Sequence, residues 1–599
     1  MANETAPPTE HPVLQDTTEK PISTFPSSKN PTISETTNKA DDAAILLSGE
    51  DTSDQQDGHP PAVVANEKDQ HVADTSAETT EASSEEDVKI IYPSGLPLGL
   101  LTFGLCMSTF VVALDNTIIA TAIPKITSVF NSLDDVGWYG SSYLLTTTAL
   151  QPSFGRIYTY FDVKWTYLFA LCLFELGSII CAAATSSVIF IVGRAVAGAG
   201  ASAIFSGGMT IVGFTVPLEK RPLYIAALSS MFGISSVIGP LLGGAFTDNI
   251  GWRWCFWINL PFGAISLVAV YFFFKPPARK QTNMTIKQKI LEIDLLGALF
   301  LVTAIVCLLL ALQWGGTTYA WKDSKIWGLF LGFGLLIAIF VGLQFRRGDR
   351  ATIPPRILKQ RTVLTACLYS CFLSMALYTH IFYLPFYFQA VKGTSAEGSG
   401  IRTIPYLGSI IISSIFAGAG ITYIGWYKPF MVFGASVFTA GAGMIYTLKV
   451  TSSAGAWIGY QILAGFGAGA GVQIPFIAVQ VVLSAKDMPT GNACTIFFNS
   501  LGGAISISIA QNVFSNTLAK DIPIYAPEVN VQQVISAGAT YLRKVVPPAS
   551  LSDVIQAYML ALKDSFVIAI AIGGLVVISA CFVEWKSVKG KKIEMVGAA

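Results

Sequence analysis

The sequence predicts an all-α membrane protein with fourteen transmembrane helices and with both termini in the cytoplasm. Of its 599 residues, 52% are hydrophobic and 13% are charged, whereas soluble domains contain about 25% charged residues. The apolar residues form stretches of the ~20 residues that a helix needs to cross a bilayer. Lysine and arginine gather in alternate loops, which is the pattern that orients helices in a membrane.

The apolar stretches follow one another along the chain after a polar N-terminal region. The predicted spans are 97–120, 138–157, 165–184, 188–211, 222–246, 254–274, 294–313, 326–345, 364–388, 402–422, 428–447, 457–482, 492–514 and 564–584. A polar loop over about 515–563 is expected between the last two. The even number agrees with the loop charges, because the basic loops at 275–292 and 346–362 and the basic C-terminal tail then fall on one side.

The two most basic loops flank the seventh and eighth spans, which predicts two six-helix bundles joined by an extra helix pair. The predicted domains are a disordered cytoplasmic tail at 1–94, an N-terminal six-helix bundle at 95–275, a linker with two extra transmembrane helices at 276–345, a C-terminal six-helix bundle at 346–585 and a cytoplasmic tail at 586–599. The first tail is rich in Ser, Thr, Glu, Asp and Pro and buries too little apolar surface to fold. It is interpreted either as an inert tail or as a site of phosphorylation.

The composition argues against several functional classes. Net charge is zero, so charge indicates no particular partner, and no nucleic-acid partner is expected. The nine cysteines lie in or beside apolar segments, which predicts neither a disulfide framework nor a metal site. Three of the four histidines lie in the tail, so no zinc cluster or Ser-His-Asp set forms and no enzyme is expected. The sequons at Asn3 and Asn283 are placed in the cytosol, so no glycosylation is expected.

Four ionisable side chains lie well inside the predicted spans, away from the span ends, namely Asp115, Glu175, Arg194 and His380. Each costs about 2.5–3.5 kcal/mol on insertion, so each is a functional candidate. In the functional interpretation, Asp115, Glu175 and Arg194 form a proton or substrate relay in a polar cavity. In the alternative, they are a static ion pair that locks helices together, and Glu175 satisfies a neighbouring helix. His380 is interpreted mainly as a tolerated polar group.

Two glycine-rich segments predict close helix contacts. Gly239 and Gly243 are four residues apart in the fifth span, so both lie on one face and let a neighbouring helix approach. Pro240 removes one helix hydrogen bond and can kink this span. The run 465–471 lacks the Lys-Ser/Thr pair of a phosphate loop and lies in an apolar span, so helix packing is predicted there too.

Several strings resemble the major facilitator superfamily, specifically its fourteen-helix drug:proton antiporter branch and the fungal toxin and multidrug efflux pumps within it. Segment 233–244 matches the antiporter motif of span five, and 114–124 matches the span-one motif. Arg194 with Gly198 matches the span-four motif, although Ala197 stands where Gln is common. The strings 174–178, 252–263, 312–316 and 383–393 are similar to the fungal subgroup.

The resemblance implies two bundles that rock about a midplane cavity and export a small molecule in exchange for protons. No cofactor is expected, because the proton gradient drives transport, and the implied partners are the substrate, protons and the lipid bilayer, with the protein monomeric. The implied location is the plasma membrane, with a vacuolar or vesicle membrane as the alternative. An importer of siderophores or other small molecules and a non-transporting membrane sensor are the rival functions.

The resemblance also implies the site residues. Proton-coupling candidates are Asp115, Arg194 and Glu175; the antiporter motif is Gly233, Gly239, Pro240, Gly243 and Gly244; substrate-cavity candidates are Asn116, His380, Tyr383, Phe386, Tyr387 and Gln389.

The loop between spans two and three departs from the family pattern. The superfamily places an Asp four residues after a Gly, whereas here Gly155 is followed by Arg156 and then by Thr159 at the Asp position. The predicted gating loop is therefore Gly155, Arg156, Asp162 and Lys164, with the ion-pair latch displaced to Asp162 and Lys164 or weakened.

Overall fold

The computed structural model describes residues 93–130, 132, 135–276, 285–316 and 319–589. The predictions for the first tail, for both sequons and for most of the last tail therefore lie outside the described residues. Within the described ranges the regular secondary structure is helical, apart from two isolated β-bridges. This agrees with the predicted all-α class.

The N-terminal bundle is built from seven helices, two of which together form one predicted span. They are α1 (Leu96–Phe130), α2 (Val136–Tyr160), α3 (Val163–Ala183), α4 (Ser187–Thr215), α5 (Arg221–Asn249), α6 (Trp254–Trp257) and α7 (Asn259–Phe273). Helix α1 packs on α5 and α7, and α4 packs on α2 and α3. The side chains of Asp162 and Ser186 accept hydrogen bonds from the first turns of α3 and α4, which starts these helices at defined residues.

The linker contains α8 (Ile286–Glu292), α9 (Leu295–Trp314) and α10 (Ser324–Arg347). The C-terminal bundle follows a 3-10 turn at 348–350. Its helices are α11 (Pro355–Leu358), α12 (Arg361–Phe386), α13 (Ala396–Ile424), α14 (Lys428–Tyr446), α15 (Ala454–Val472), α16 (Ile474–Val482), α17 (Met488–Tyr525), α18 (Val531–Val545) and α19 (Leu551–Phe582). A π-helical turn, Tyr387–Val391, extends α12.

Thirteen of the described helical segments are long and apolar enough to cross a membrane. The remaining predicted span, 138–157, falls within α2, which is 25 residues long but rich in Ser and Thr. Much of α2 is buried against α4 and α17, so its polar residues face protein and not lipid. The count of fourteen spans and the cytoplasmic termini stay predictions.

The predicted polar loop over 515–563 is wrong. Helix α17 continues to Tyr525, α18 occupies 531–545 and α19 begins at Leu551. The reason is that Leu518, Ile522 and Leu542 are buried in one apolar cluster with α12 and α19. These apolar residues are spaced along polar helices, so a search for continuous apolar stretches does not detect them.

The two bundles meet mainly along two pairs of helices, α5 with α13 and α2 with α17, with a smaller contact between α4 and α17. A Cβ atom on Gly233 of α5 would lie 2.6 Å from the side chain of Ile411 on α13. A Cβ atom on Gly155 of α2 would lie 2.5 Å from the Cβ atom of Ala493 on α17. The Gly155 contact lies close to the α2–α3 connection, because α2 ends at Tyr160, and we call this end of the bundles the α2–α3 side.

The linker braces the α2 and α17 side of this junction, where α9 contacts both helices. Asp294 is almost fully buried at the start of α9. Its carboxylate accepts hydrogen bonds from the Gly297 backbone, 2.8 Å, and the Gln344 amide, 3.0 Å, and pairs with Arg347 at 3.3 Å. Asp294 therefore ties the two linker helices together.

Candidate functional site

A buried ion pair lies in the N-terminal bundle between α1 and α4. The Nη1 atom of Arg194 lies 2.5 Å from Oδ2 of Asp115, and both side chains are 0% exposed. Burying two charges is unfavourable unless the pair is closely matched and further hydrogen bonds satisfy the remaining atoms. The surroundings of the pair therefore matter as much as the contact itself.

Asn259 at the start of α7 bridges the pair to α3. Its Nδ2 atom donates to Oδ1 of Asp115 at 3.1 Å and to Oγ of Ser178 at 3.1 Å. Arg194 is held by α2 as well, because its Nε atom donates to the carbonyl of Tyr139 at 3.0 Å. Its guanidinium carbon lies 4.3 Å from the centroid of the Tyr143 ring, a favourable cation–π position. The pair thus connects five helical segments of one bundle.

Glu175 lies one turn of α3 from Ser178 and faces α7. A side chain on Gly263 would clash with its carboxylate, so the glycine is what makes room for Glu175. Both carboxylate oxygens are buried and have no hydrogen-bond partner in the described part of the protein. Glu175 therefore packs against α7 without a hydrogen bond to it, and its role in the relay stays a prediction.

The glycines of the α5 motif behave differently from one another. A Cβ atom added to Gly239 would clash with Thr117 of α1, and one added to Gly243 would clash with Thr121 and Ile118 of α1. The predicted close contact of these two glycines with one neighbouring helix is therefore confirmed. A Cβ atom on Gly244 would meet nothing within 4 Å.

The α5 motif packs against the part of α1 that carries Asp115. The Thr117 hydroxyl donates to the carbonyl of Ser235 on α5 at 3.0 Å, and Thr117 lies two residues after Asp115 on α1. Helix α5 remains continuous through Pro240. Because α5 also forms the junction with α13, a change at Asp115 has a short physical route to the contact between the bundles.

The predicted gating loop is assembled without an ion pair between Asp162 and Lys164. Asp162 accepts a hydrogen bond from the Trp165 backbone at 3.1 Å, and the Lys164 ammonium lies 5.1 Å from the centroid of the Tyr271 ring. Thr159, at the position where the family has an acid, is 3.1 Å from the hydroxyl of Thr490 on α17. The contact that replaces the expected charge is thus neutral.

Three of the predicted cavity residues are core residues of the C-terminal bundle. His380, Tyr383 and Tyr387 are at most 2% exposed. The Nδ1 atom of His380 is 3.2 Å from the hydroxyl of Tyr406, and the Tyr387 hydroxyl donates to the carbonyl of Lys449 at 3.0 Å. None of the three is brought to the ion pair in the N-terminal bundle.

The other three predicted cavity residues, Asn116, Phe386 and Gln389, are partly exposed. Asn116 directly follows Asp115 on α1. The Phe386 ring centroid lies 6.0 Å from that of Phe514, and the Gln389 amide donates to Ser399 at 3.4 Å. Their exposure keeps them as cavity candidates.

Sequence reasoning missed the residues that complete the ion pair. Asn259 stands inside the string 252–263, which resembles the fungal subgroup, and this was the available signal. Tyr139 and Tyr143 carried no signal, since an aromatic residue in an apolar helix is ordinary. In the described ranges, no three His, Cys, Asp or Glu side chains are grouped as metal ligands.

A family model described as the Major Facilitator Superfamily matches residues 105–507. The chain belongs to this superfamily. Its relatives include the MFS-type efflux pump MFS1 of Arthroderma benhamiae, which is 47% identical over 89% of this chain and 100% of that protein. The efflux pump roqT of Penicillium rubens is 47% identical over 82% of this chain and 91% of that protein. The aspyridones efflux protein of Neocamarosporium betae is 43% identical over 88% of this chain and 94% of that protein.

Solved structures of the superfamily share the fold. The proton:xylose symporter XylE superposes with a TM-score of 0.53 at 14% identity, covering 82% of this chain and 97% of that chain. The human organic anion transporter MFSD10 also gives a TM-score of 0.53, at 12% identity, covering 82% of this chain and 100% of that chain. At these identities the similarity concerns the architecture and not the cargo.

Proposed function

We propose that this superfamily member exports hydrophobic or amphipathic small molecules, such as toxins, secondary metabolites or drugs, in exchange for protons. Export is supported by the relatives, whose names describe efflux pumps and include an aspyridones efflux protein. Proton coupling is supported by one observation above all, the fully buried pair of Asp115 and Arg194.

The pair supplies a protonation site whose charge controls a contact between helices. A proton on Asp115 removes the negative charge that holds Arg194, so that α4 loses its ionic contact with α1. Arg194 then keeps the Tyr139 carbonyl and the Tyr143 ring. Because an uncompensated buried charge costs several kcal/mol, the two protonation states favour different arrangements of α1 and α4, and this difference is what coupling requires.

Glu175 is proposed as a second protonatable group of the same network. Its carboxylate oxygens have no hydrogen-bond partner in the described residues, and it lies one helical turn from Ser178, which Asn259 links to Asp115. A proton can thus reside on either side of Asn259. The gradient supplies the driving force, since one charge moving through 100 mV releases about 2.3 kcal/mol, enough for about a forty-fold gradient of a neutral cargo.

The cargo site is proposed between the bundles, with Asn116 on the N-terminal side and Phe386 and Gln389 on the C-terminal side. All three are partly exposed. An aromatic ring with a few amide groups suits a mainly apolar molecule that carries a few polar atoms. The plasma membrane is the proposed location, and a monomer is the proposed functional state.

The test is Asp115→Asn in inside-out vesicles with an imposed pH gradient and a labelled lipophilic cargo. We expect loss of proton-driven accumulation, while exchange of labelled for unlabelled cargo without a gradient continues. Exchange reports the cargo site and accumulation reports the coupling, so the two activities separate within one variant.

The matched control is Asp294→Asn, which removes a buried carboxylate from the linker instead of the bundle. With transport normalised to the protein present in the membrane, this control is expected to keep its dependence on the pH gradient. Gradient-driven accumulation that persists unchanged in Asp115→Asn would overturn the coupling role. Gradient-driven uptake into right-side-out vesicles would instead favour the importer.

A further inference from the structure

Segment 348–356 runs from the end of α10 into the first residues of α11 and contacts both bundles on the α2–α3 side; we call it the strap. We propose that the strap is the latch that holds the bundles together on this side, in place of an ion pair within the α2–α3 loop. The proposal rests on the proposed transport function, because a latch has a role only if this side opens.

The first half of the latch joins the strap to the N-terminal bundle. Arg156 of α2 is 3% exposed, and its Nη2 atom donates to the backbone carbonyl of Asp349 at 2.8 Å. The same nitrogen donates to the hydroxyl of Tyr160 at 3.0 Å, which holds the guanidinium in place. A buried cation on a strap carbonyl is a strong contact, since hydrogen bonds from charged donors exceed those between neutral groups.

The second half joins the strap to the C-terminal bundle through Arg356. Its Nε atom donates to Oδ1 of Asp349 at 2.9 Å. Its Nη1 and Nη2 atoms donate to the two carboxylate oxygens of Asp487, both at 3.0 Å. Asp487 is the residue before α17 and its side chain is 13% exposed, so this bidentate pair is better shielded than an ordinary surface ion pair.

The strap itself is held firmly to the linker. The Thr352 hydroxyl and backbone amide lie 3.2 and 3.3 Å from the Asp294 carboxylate, and the Ile353 amide donates to Gln344 at 2.9 Å. Ala351, Thr352 and Ile353 are buried. A chain of contacts therefore runs from α2 through a fixed strap to α17.

The direct contact between α2 and α17 lacks such a lock. Thr159 and Thr490 share a neutral hydrogen bond. Nearby, Gln151 Oε1 and both amide atoms of Asn492 are buried and have no hydrogen-bond partner in the described residues. Such atoms gain hydrogen bonds when water enters, so this interface is prepared to open and an additional latch is needed to close it.

The test uses the native thiol of Cys494 as a reporter in the purified full-length protein. Cys494 is 1% exposed and belongs to an apolar cluster with Ala149 of α2, so it becomes accessible when α2 and α17 separate. Labelling by a maleimide is followed at the Cys494 peptide by mass spectrometry, without cargo or proton gradient, for Asp487→Asn and Arg356→Gln.

The matched control is Arg350→Gln. Arg350 pairs with Glu292 at 3.1 Å, so it is an arginine of the same strap whose ion pair stays within the linker. We expect Cys494 labelling to be about five-fold faster in Asp487→Asn and Arg356→Gln, the change in open population that ~1 kcal/mol produces. Labelling should be unchanged in Arg350→Gln and close to wild type in Asp487→Glu, which keeps the charge.

Equal labelling in all variants, with unchanged thermal stability of the purified protein, would overturn the latch. An equal increase of the Cys494 labelling rate in Arg350→Gln would also overturn the latch. Any loosening of the strap would then be sufficient to expose Cys494, without loss of the contact to Asp487. The labelling depends on neither cargo nor protons. A negative labelling result would therefore not contradict proton-driven export. A negative export assay would likewise leave the labelling test of the latch possible.

Discussion

The two bundles share one packing scaffold and differ in the chemistry placed on it. In each bundle, glycines of the third and fourth helices let backbones touch at the same relative positions. In the N-terminal bundle, Gly177 contacts Ala197, Gly198 contacts Tyr143 and Gly200 contacts Phe174. The corresponding contacts in the C-terminal bundle are Gly441 with Ala464, Gly465 with Tyr406 and Gly467 with Phe438. The scaffold is therefore repeated to the level of individual glycines.

The charged groups are not repeated. Asp115 lies nineteen residues after the first residue of α1, and His380 lies nineteen residues after the first residue of α12. Arg194 and Gln461 each lie seven residues after the start of their helices. Where the N-terminal bundle has a carboxylate and a guanidinium, the C-terminal bundle has a histidine bonded to Tyr406 and an amide bonded to backbone carbonyls.

The shared scaffold therefore does not require the charges. The C-terminal bundle packs the corresponding helices without an ion pair at this position, so packing alone does not require the pair in the N-terminal bundle. The coupling interpretation of Asp115 and Arg194 is thereby favoured over the static one, and the four predictions below test how far the two bundles differ.

Arg194→Gln places in the N-terminal bundle the residue type that Gln461 provides at the corresponding position of the C-terminal bundle. Of the four predictions, this substitution should have the largest effect on stability and transport. Asp115 would remain buried without its partner, which costs about 3–5 kcal/mol, and gradient-driven accumulation should be lost. Thermal unfolding of purified protein and vesicle transport measure the two effects. Gln461→Leu, which removes the equivalent amide, is the control and should keep gradient dependence; a variant Arg194→Gln that transports normally would make the pair structural.

Gly198→Ala and Gly465→Ala test whether the scaffolds are equivalent. Each added methyl would clash with the backbone carbonyl of a tyrosine, Tyr143 or Tyr406, and overpacking costs about 1–3 kcal/mol. We expect similar losses of thermal stability in the two variants. A large loss in one and none in the other would show that the bundles are packed differently.

His380→Gln tests whether the C-terminal bundle carries a proton. The histidine is buried among the rings of Tyr406, Phe438 and Phe566, and a glutamine amide can replace its hydrogen bond. We expect a loss of about 1 kcal/mol in stability and an unchanged ratio of accumulation to exchange in vesicles. A collapse of that ratio would move coupling to the C-terminal bundle as well.

Gly244→Ala should have the smallest effect, although the residue belongs to the α5 motif. The space beside it is open within 4 Å, whereas an added methyl on Gly243 would clash with α1. Alanine is also favoured over glycine in a helix by about 1 kcal/mol. Stability equal to or above wild type is expected for Gly244→Ala, with Gly243→Ala clearly destabilised. Equal damage in both would mean that Gly244 has a contact in another conformation.

Much of the architecture could be read from the chain. Apolar stretches of span length located the membrane helices, because lipid selects for continuous apolar sequence. The error over 515–563 came from α18 and the ends of α17 and α19, which bury one face and expose the other. The helix α2 was found from the sequence although its hydropathy is low, and its Ser and Thr residues are explained by burial against protein.

The candidate site was predicted in its residue types and not in its contacts. Asp115, Arg194 and Glu175 were identified because charges within membrane spans are costly and rarely kept without a role. The pairing of Asp115 with Arg194, the bridge through Asn259 and the burial of His380 inside its bundle depend on which faces of distant helices meet.

The sequence alone was enough to establish the membrane class, the positions of most membrane-spanning helices, the superfamily and the glycines that bring helices together. These are local properties, since hydropathy and the absence of a side chain act at each residue. Only the tertiary structure decided that Asp115 and Arg194 form a buried pair, that a neutral contact stands at Thr159, and that the strap joins Arg156 to Asp487. Those contacts link residues separated by 79 to more than 300 positions, and their geometry follows from the packing of whole helices.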